Sequence, residues 1–369
     1  MGKRDLYKKL VTRYVDGTAT TDEMQVFFHL LNQGKLKNYL EDATKDNEDI
    51  SIRRTTKSSI IIKLAKYSVA AAIVAIIGVC TFLWLKPSDK KITTVTSNQF
   101  KNDIAPGGNK AFLTLADGTI ITLDRTASGE VANQGSVQIV KEADGIISYK
   151  SGAKEASPAY YNRVSTPIGG QYQVSLADGT RVWLNALSSI RFPSVFDGSA
   201  RTVELSGEAY FEVTKNRDKP FYVSVNGMQV EVLGTHFNVN AYPDEPSIKT
   251  TLLAGMVKLV RGTSNILLKP GDQGQTNDTG GFILSKETDV DEVVAWKNGY
   301  FSFEGADVQT VMRQIARWYG VQVHYVGEPT KALFGGEIGR DLNLTQVLVG
   351  LSKSRVHFQL EGTTLTVLP

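Results

Sequence analysis

One stretch of the chain constrains its architecture more than any other: 19 consecutive uncharged residues, YSVAAAIVAIIGVCTFLWL, flanked by lysines. A helix of this length rises about 28 Å, close to the thickness of the hydrocarbon core of a bilayer. Tyr67 and Trp84 lie near its two ends, as expected for residues at a membrane interface. No signal-peptide cleavage motif follows Leu85, and a buried core helix is rarely so long and free of charge. The sequence therefore predicts one transmembrane helix over residues 67–85, bounded by Tyr67 and Leu85.

Charge is distributed unevenly about this predicted helix. The formal net charge is only +3, and the first 66 residues alone carry four more basic than acidic residues. The positive-inside rule counts the basic residues that flank the helix, which are Arg53, Arg54, Lys57, Lys63 and Lys66 before it and Lys86, Lys90, Lys91 and Lys101 after it. It therefore favours a cytoplasmic N-terminus by a small margin, which leaves the larger C-terminal part on the opposite side of the membrane. Such a balanced overall charge argues against a dedicated nucleic-acid binder. A single cysteine excludes an internal disulfide framework.

Residues 1–50 predict a small all-α domain. A first helix ends at Asp16-Gly17, and a capping box at Thr20-Thr21-Asp22-Glu23 begins a second. About 50 residues bury little core by themselves. The domain is therefore either a small self-contained bundle or a helical clamp whose apolar faces close on another protein. In the clamp interpretation the binding side chains are Leu6, Leu10 and Tyr14 on the first helix and Phe27, Phe28 and Leu31 on the second. Residues 51–66 predict a polar tether to the membrane.

Beyond the membrane, residues 92–285 predict an all-β domain. Short alternating segments are separated by dipeptides typical of hairpin turns, namely Asp117-Gly118, Asp144-Gly145, Asp178-Gly179 and Asn226-Gly227. The segment FLTLADGTIITLD at 112–124 resembles YQVSLADGTRVWLN at 172–185, which indicates the same strand–turn–strand unit twice. A sandwich, a barrel or two stacked sheets all fit this pattern.

Residues 297–369 predict a small α+β module. Asp307 is the expected N-cap of a helix that ends at Gly320, and residues 344–351 predict a second helix. Short strands surround both helices, and a last hairpin turns at Glu361-Gly362. Such short segments leave sheet edges that can accept a partner strand.

The sequence contains no recognisable catalytic, cofactor or metal site, and we expect the protein not to be an enzyme. The four histidines, His29, His236, His324 and His357, lack the spacing of metal ligands. Glu208 and Glu212 alternate along one strand, which is typical of a solvated face rather than a glycosidase carboxylate pair. No GxSxG motif or phosphate-binding loop occurs.

Aromatic residues of the β region permit two interpretations. Trp183, Tyr210, Phe211 and Tyr222 form either a platform for sugar rings or ordinary packing in a β core, of which packing is the simpler. The platform interpretation makes the protein a membrane-tethered glycan- or cell-wall-binding protein without regulatory output. A simple tether of that kind does not require a capped helical domain before the membrane.

Several long segments resemble a known family. TPIGGQYQVSLADGTRVWLNALSSIRFP (166–193), RTVELSGEAYFEV (201–213), KPFYVSVNGMQVEVLGTHFNVNAY (219–242) and LLAGMVKL (252–259) resemble the FecR-type periplasmic domain, and PGGNKAFLTLADG (106–118) matches its extended form. The segment WKNGYFSFEGADVQTVMRQIARWYGVQVHY (296–325) is similar to the secretin/TonB N-terminal (STN) signalling domain.

The resemblance implies a transmembrane anti-sigma factor of the inner membrane. Residues 1–60 would then bind an extracytoplasmic-function sigma factor in the cytoplasm. The periplasmic domains would receive a signal from a TonB-dependent outer-membrane transporter. The sigma factor is then freed either by a site-specific membrane protease or by a conformational change, and the resemblance implies no cofactor and no direct contact with nucleic acid.

Overall fold

The computed structural model describes residues 3–15, 30, 36, 100–143, 145–151 and 160–368. The predicted tether, the predicted transmembrane helix with Tyr67 and Leu85, and most of the predicted second helix lie outside the described residues. Within the described residues, no helix is long and apolar enough to cross a membrane. The chain divides into two compact units, Met1–Ile92 and Thr93–Pro369.

In the first unit, helix α1 spans Lys3–Val15 and ends directly before Asp16-Gly17, as predicted. Val11 is buried against Leu36, and Tyr7, Leu10 and Leu30 pack around this pair. Leu10, one of the side chains assigned to partner binding in the clamp interpretation, therefore packs within the first unit. Leu6 and Tyr14 lie in α1 as well, and only their helical backbone is described.

The second unit begins with a β domain, and its described residues up to 285 contain strands and no helix, as expected. The first ten strands, β1–β10, are Gly108–Asn109, Phe112–Thr114, Ile120–Thr122, Gly129–Gln134, Val137–Lys141, Ile147–Ser151, Tyr161–Ser165, Gly170–Ser175, Arg181–Leu184 and Ser189–Pro193. The next nine, β11–β19, are Arg201–Glu212, Phe221–Val225, Met228–Val232, His236–Ala241, Lys249–Ala254, Val257–Arg261, Ser264–Leu268, Gln273–Thr276 and Phe282–Ser285.

Two sheets share the long strand β11. The first sheet contains the first half of β11, and its strand order is β3-β2-β7-β10-β11-β12-β13-β16-β17. The second sheet contains the second half of β11, and its strand order is β4-β5-β6-β8-β9-β11-β14-β15-β18-β19. Alternating side chains of both sheets meet in one hydrophobic core, in which Phe192, Phe211, Phe221 and Phe237 are fully buried. The architecture is therefore two stacked sheets joined by one strand.

The two similar segments predicted from sequence are the same structural unit. In the first, the Leu115 amide donates to the Thr119 carbonyl at 2.9 Å, and Asp117 Oδ1 accepts from the Thr119 amide. In the second, Leu176 and Thr180 form the equivalent 2.8 Å bond, and Asp178 Oδ1 accepts from the Thr180 amide. The glycine after each aspartate has a positive φ, which explains the Asp-Gly pair at both turns.

The C-terminal module contains three helices and five strands. Helices α2, α3 and α4 are Val290–Val294, Val308–Tyr319 and Leu344–Leu351; strands β20–β24 are Tyr300–Asp307, Gln322–Tyr325, Leu333–Gly339, His357–Glu361 and Thr364–Leu368. Two 3-10 helices, Ala295–Asn298 and Ser352–Ser354, follow α2 and α4. β20 pairs with β22, and β21, β24 and β23 form a second sheet.

The predicted caps of α3 are confirmed. Asp307 Oδ1 accepts a 2.7 Å hydrogen bond from the Thr310 amide, and Gly320 ends the helix in the left-handed region with φ +71°. The two helices expected in this module form over Val308–Tyr319 and Leu344–Leu351, but α2 was missed. It occupies the interval between the two domains predicted from sequence.

Candidate functional site

The outer face of β11 is where the β domain meets the C-terminal module. Along this strand Leu205, Ala209 and Phe211 point into the core, so Glu208 points to the opposite face. That face was predicted to be solvated, and for Glu208 the prediction is wrong: its side chain is 7% exposed. The reason is that Val294 and Trp296, from α2 and the 3-10 helix after it, pack over the neighbouring Tyr210.

The buried Glu208 carboxylate is held by two amide side chains. Asn185 Nδ2 donates to Oε2 at 2.8 Å, and Asn238 Nδ2 donates to Oε1 at 3.0 Å. Trp296 Nε1 then donates to Asn238 Oδ1 at 3.3 Å, which links the C-terminal module to the same group. A buried carboxylate needs partners of this kind because burial without them is costly.

Arg340, also from the C-terminal module, completes this group. Its Nη1 donates to the Trp296 carbonyl at 3.1 Å, and its Nη2 donates to Asn185 Oδ1 at 3.0 Å. The guanidinium lies 3.8 Å from the centre of the Trp318 ring and is almost fully buried. We call Asn185, Glu208, Asn238, Trp296 and Arg340 the Glu208 cluster. Because its members come from both parts of the second unit, the cluster fastens the module to the β domain.

Burial changes the proton affinity of both charged members. It raises the pKa of the Glu208 carboxyl above the ordinary value, and the hydrogen bonds from Asn185 and Asn238 oppose this rise without cancelling it. Burial also lowers the pKa of Arg340 to about 10, against the opposing effects of Tyr242 and Glu208. Arg340 therefore stays charged at neutral pH, whereas the proton affinity of Glu208 depends on the contact between the β domain and the C-terminal module.

A second polar contact lies at the α3 end of the interface. Arg317 Nη2 donates to Asp244 Oδ1 at 2.7 Å and to Glu245 Oε1 at 2.8 Å, and Arg313 Nε donates to Glu245 Oε2 at 3.0 Å. The Arg317 guanidinium also lies 3.9 Å from the centre of the Tyr242 ring. These contacts fix the direction of α3 relative to the loop between β14 and β15.

Close backbone packing at this interface requires glycine. A Cβ on Gly107 would overlap the Gly169 carbonyl and the ring of Trp318, and a Cβ on Gly169 would lie 2.8 Å from the Trp318 carbonyl. The Gly169 amide donates to the Arg317 carbonyl at 2.9 Å. Gly107 and Gly169 therefore allow a close contact between the end of α3 and two loops of the β domain.

A cleft of about 280 Å³ opens beside the Glu208 cluster. Amides, hydroxyls and charged groups line it, among them Asn240, Lys249, Tyr300 and Gln314. Arg317 and Glu245, which also line it, already bind one another. Among the described residues, no group of three or more His, Cys, Asp or Glu side chains could hold a metal ion.

The aromatic residues of the β region, for which sequence left packing and a sugar platform open, lie in packed contacts. The rings of Trp183 and Tyr210 lie 5.5 Å apart, and Lys297 Nζ lies 4.6 Å from the Trp183 ring and 5.0 Å from the Tyr210 ring. Phe211 is fully buried in the sheet core. Packing, the simpler of the two interpretations, is therefore correct for the buried Tyr210 and Phe211, whereas Trp183 is half-buried and lines a cleft together with Lys297.

Of the residues predicted to bind a partner, Leu10 is described in a packed cluster and Leu6 and Tyr14 by their helical backbone only. Phe27, Phe28 and Leu31 lie outside the described residues. His236, His324 and His357 are exposed on three separate strands. Sequence analysis missed Asn185, Arg340 and Trp296, which no motif distinguishes from other polar or aromatic residues of the chain.

Comparison with known proteins agrees with these two parts of the second unit. Residues 162–258 match the family model described as FecR protein, and residues 300–367 match the one described as FecR, C-terminal. The second unit is FecR-like. No curated protein matches the chain.

The FecR-like fold also has solved relatives. Two crystal structures of a candidate anti-sigma factor from Parabacteroides distasonis ATCC 8503, at 1.65 and 2.50 Å resolution, are 29% identical in sequence with a TM-score of 0.52. Each similarity covers 56% of this chain and 97% or 98% of the relative. These similarities support a FecR-type anti-sigma factor. FecR-family anti-sigma factors are regulatory proteins rather than enzymes, which agrees with the expectation from sequence.

Proposed function

We propose that this protein is an anti-sigma factor that holds an extracytoplasmic-function sigma factor at the inner membrane and releases or activates it on a periplasmic signal. The observation that carries the proposal is the pairing of a FecR and a FecR C-terminal region in one compact unit. The candidate anti-sigma factor of P. distasonis is similar over 97% of its length.

The sigma-binding part is the helical region before the predicted membrane helix. Its apolar side chains Leu6, Leu10 and Tyr14, with Phe27, Phe28 and Leu31, form the proposed binding face. The packed pair Val11 and Leu36 holds one side of α1 inside the first unit, and this packing fixes the helix from which the proposed face is built. Residues 67–85 then anchor this region to the inner membrane with the FecR-like unit in the periplasm.

The proposed periplasmic partner is the signalling domain of a TonB-dependent outer-membrane transporter, received by the STN-like module at 297–369. Backbone edges support this assignment. Among the described residues, β21 pairs only with β24, and β20 and β22 pair only with one another. Strand edges of this kind bind extended segments of other proteins through main-chain hydrogen bonds.

The way in which the sigma factor is released depends on the single predicted membrane helix. One helix transmits little of a subtle rotation, so cleavage by a site-specific membrane protease is the output that we favour over a purely conformational release. A binding event outside can change the sigma factor inside only through different affinities for two states or through irreversible cutting.

Co-purification of the full-length chain tests the proposal. The tagged chain is extracted from native membranes in mild detergent, and its partners are identified by mass spectrometry. We expect one sigma factor with the wild-type chain and at least a tenfold loss with Leu10→Glu. Lys9→Glu changes the charge of the adjacent exposed position and serves as the control, with recovery close to wild type. Absence of any sigma factor from the wild-type sample would refute the proposal.

A further inference from the structure

One wall of the cleft beside the Glu208 cluster is the outer face of the second sheet. Phe237 and Val239 of β14 point into the core, so Asn238 and Asn240 point to that outer face. Residues in register on neighbouring strands extend this wall in two rows, Glu208-Asn240-Lys249 and Asn238-Thr251-Gln273. Cβ atoms of directly opposed residues are about 5 Å apart, so each row presents a continuous line of polar groups.

The C-terminal module supplies the opposite wall. Trp296, Tyr300 at the start of β20, and Gln314 of α3 line the cleft from this side. Trp296 is buried, whereas Tyr300 is 47% exposed and offers part of its ring to a ligand. A molecule bound in the cleft therefore contacts both the β domain and the module.

Some polar atoms of the cleft residues lack a hydrogen-bond partner among the described residues. They are Asn240 Oδ1, Ser247 Oγ and Arg340 Nε, and all three atoms are buried. Three of the six such side-chain atoms in the described part of the chain thus belong to residues that line this one cleft. Buried polar atoms without partners are costly, so their concentration here favours a site whose hydrogen-bonding partner comes from outside the chain.

The charges of the walls favour a neutral ligand. Three carboxylates and three cations line the cleft, so their formal charges balance; they are Glu208, Glu245, Glu292, Lys249, Arg317 and Arg340. Arg317 and Glu245 are already bound to each other at 2.8 Å. A charged ligand would therefore meet no excess of the opposite charge on these side chains.

The uncharged groups of the walls are chiefly amides and hydroxyls. Each of these groups offers both a donor and an acceptor, as do the neighbouring hydroxyl groups of a sugar ring. The volume of about 280 Å³ lies at the lower limit of cavities that hold small ligands. The cleft therefore fits one small ring rather than a chain of several sugars.

We propose that the cleft beside the Glu208 cluster binds one neutral pyranose ring, either a free sugar or the terminal unit of a longer glycan. Hydroxyl groups of the ring bond to Asn240, Ser247 and Gln314, and its apolar face lies against Tyr300. The bound sugar holds the module against the β domain, because the two walls come from different parts of the unit. This site differs from the aromatic platform considered from sequence, since Trp183 does not line it.

Titration of hexoses into the full-length chain tests the proposal. The protein is kept in a detergent without a sugar head group, and D-glucose, D-galactose and D-mannose are added in turn with saturation-transfer NMR as the readout. We expect saturable binding of at least one hexose and a Tm that rises with its concentration. The methyl glycoside of that hexose separates the two sources: it binds if the site takes a terminal unit and is excluded if the site takes only free sugar.

Asn240→Ala is the decisive variant. Because Asn240 Oδ1 has no partner among the described residues, its loss should leave Tm close to wild type while hexose binding weakens at least tenfold. Asn265→Ala, at an exposed asparagine of β17 in the first sheet, is the matched control and should bind as wild type. Gln314→Ala should also weaken binding at least tenfold, with Gln309→Ala at an exposed position of α3 as its control.

Three results would overturn the inference. The first is that none of the three hexoses binds saturably to the wild-type chain. The second is that a hexose binds equally well to Asn240→Ala, Gln314→Ala and the wild-type chain, which would place the sugar elsewhere. The third is that charged D-glucuronate binds at least tenfold tighter than D-glucose. These assays contain no sigma factor, so the co-purification test of the proposed function is independent of them.

Discussion

Arg340 donates a 3.0 Å hydrogen bond to the side chain of Asn185, which lies 155 residues earlier in the chain. The same Asn185 side chain donates to the buried Glu208 carboxylate at 2.8 Å. One amide therefore joins a cation of the C-terminal module to an anion of the β domain, and neither charge is left in the interior without a partner. The C-terminal module and the β domain are therefore joined through buried, hydrogen-bonded side chains.

Loss of Arg340 should destabilise the second unit. Arg340→Ala removes a buried cation that binds Trp296 and Asn185, so we expect the free energy of unfolding to fall by about 3 kcal/mol. Arg191→Ala is the matched control, because Arg191 pairs with Glu204 at the surface and such pairs contribute about 0–1 kcal/mol. Urea unfolding followed by tryptophan fluorescence measures both, and equal losses would contradict a special role for Arg340.

Glu208 should make stability depend on pH. Its pKa is raised in the folded protein above about 4.3, the ordinary value for an unfolded chain, so the folded state binds the proton more tightly. The stabilisation is therefore complete below about pH 4.3 and is lost as the pH rises through the folded pKa.

Glu208→Gln removes this contribution, and the fall in Tm between pH 5 and pH 8 should become smaller than in the wild-type chain. Glu204→Gln makes the same substitution at an exposed carboxyl of the same strand and is the matched control. Identical slopes for wild type and Glu208→Gln would show that the carboxyl does not titrate differently on folding.

The variant Gly107→Ala tests how closely the C-terminal module must approach the β domain. Gly107→Ala places a methyl group against the Gly169 carbonyl and the Trp318 ring, and the overpacking should cost about 2 kcal/mol. Gly198→Ala adds the same methyl group where no atom lies within 4 Å, so Tm should stay close to wild type. A tolerated Gly107→Ala would show that α3 can move away from the β domain at low cost.

Asp103 should stabilise α4 from a distance. Hydrogen bonds from Thr345, Asn343 and Ile104 together outweigh the effect of burial and hold the pKa of Asp103 below its ordinary value. Its contribution is therefore present above about pH 3.9 and lost as the pH falls through the folded pKa. Asp103→Ala should cost about 1 kcal/mol, as for other helix caps, with Asp197→Ala neutral. Equal thermal stability of the two variants would argue against the cap.

Local sequence signals account for much of the fold. The Asp-Gly turns of the two repeated hairpins, the Asp307 cap and the Gly320 terminus are each determined within a few neighbouring residues, so they could be predicted. Strand alternation also placed Glu208 on the outer face of β11, but alternation does not say what covers that face. The cover includes α2, whose five residues are too few for a helical period to be read.

Long-range contacts explain the other omission. Asn102 and Gly362 are 260 residues apart, and nothing in the polar segment around Asn102 distinguishes it from an ordinary loop. The contacts of residues 102 and 103 are a reciprocal side-chain-to-backbone pair with Gly362 and a cap on α4, both formed with a distant part of the chain. Neither set of hydrogen bonds produces a periodic pattern in the sequence. Both can therefore be recognised only in the folded structure, where the two ends of the second unit lie together.

Site-specific photo-crosslinking in living cells shows whether α1 contacts a sigma factor. A photoreactive amino acid is placed at position 6, 10 or 14 of α1 in separate full-length chains, with exposed position 9 as the control. We expect an adduct with one sigma factor at one or more of the three positions, and a weaker adduct at position 9. Crosslinking that yields no sigma-factor adduct at positions 6, 10 and 14, in cells that express their sigma factors, would contradict the anti-sigma function.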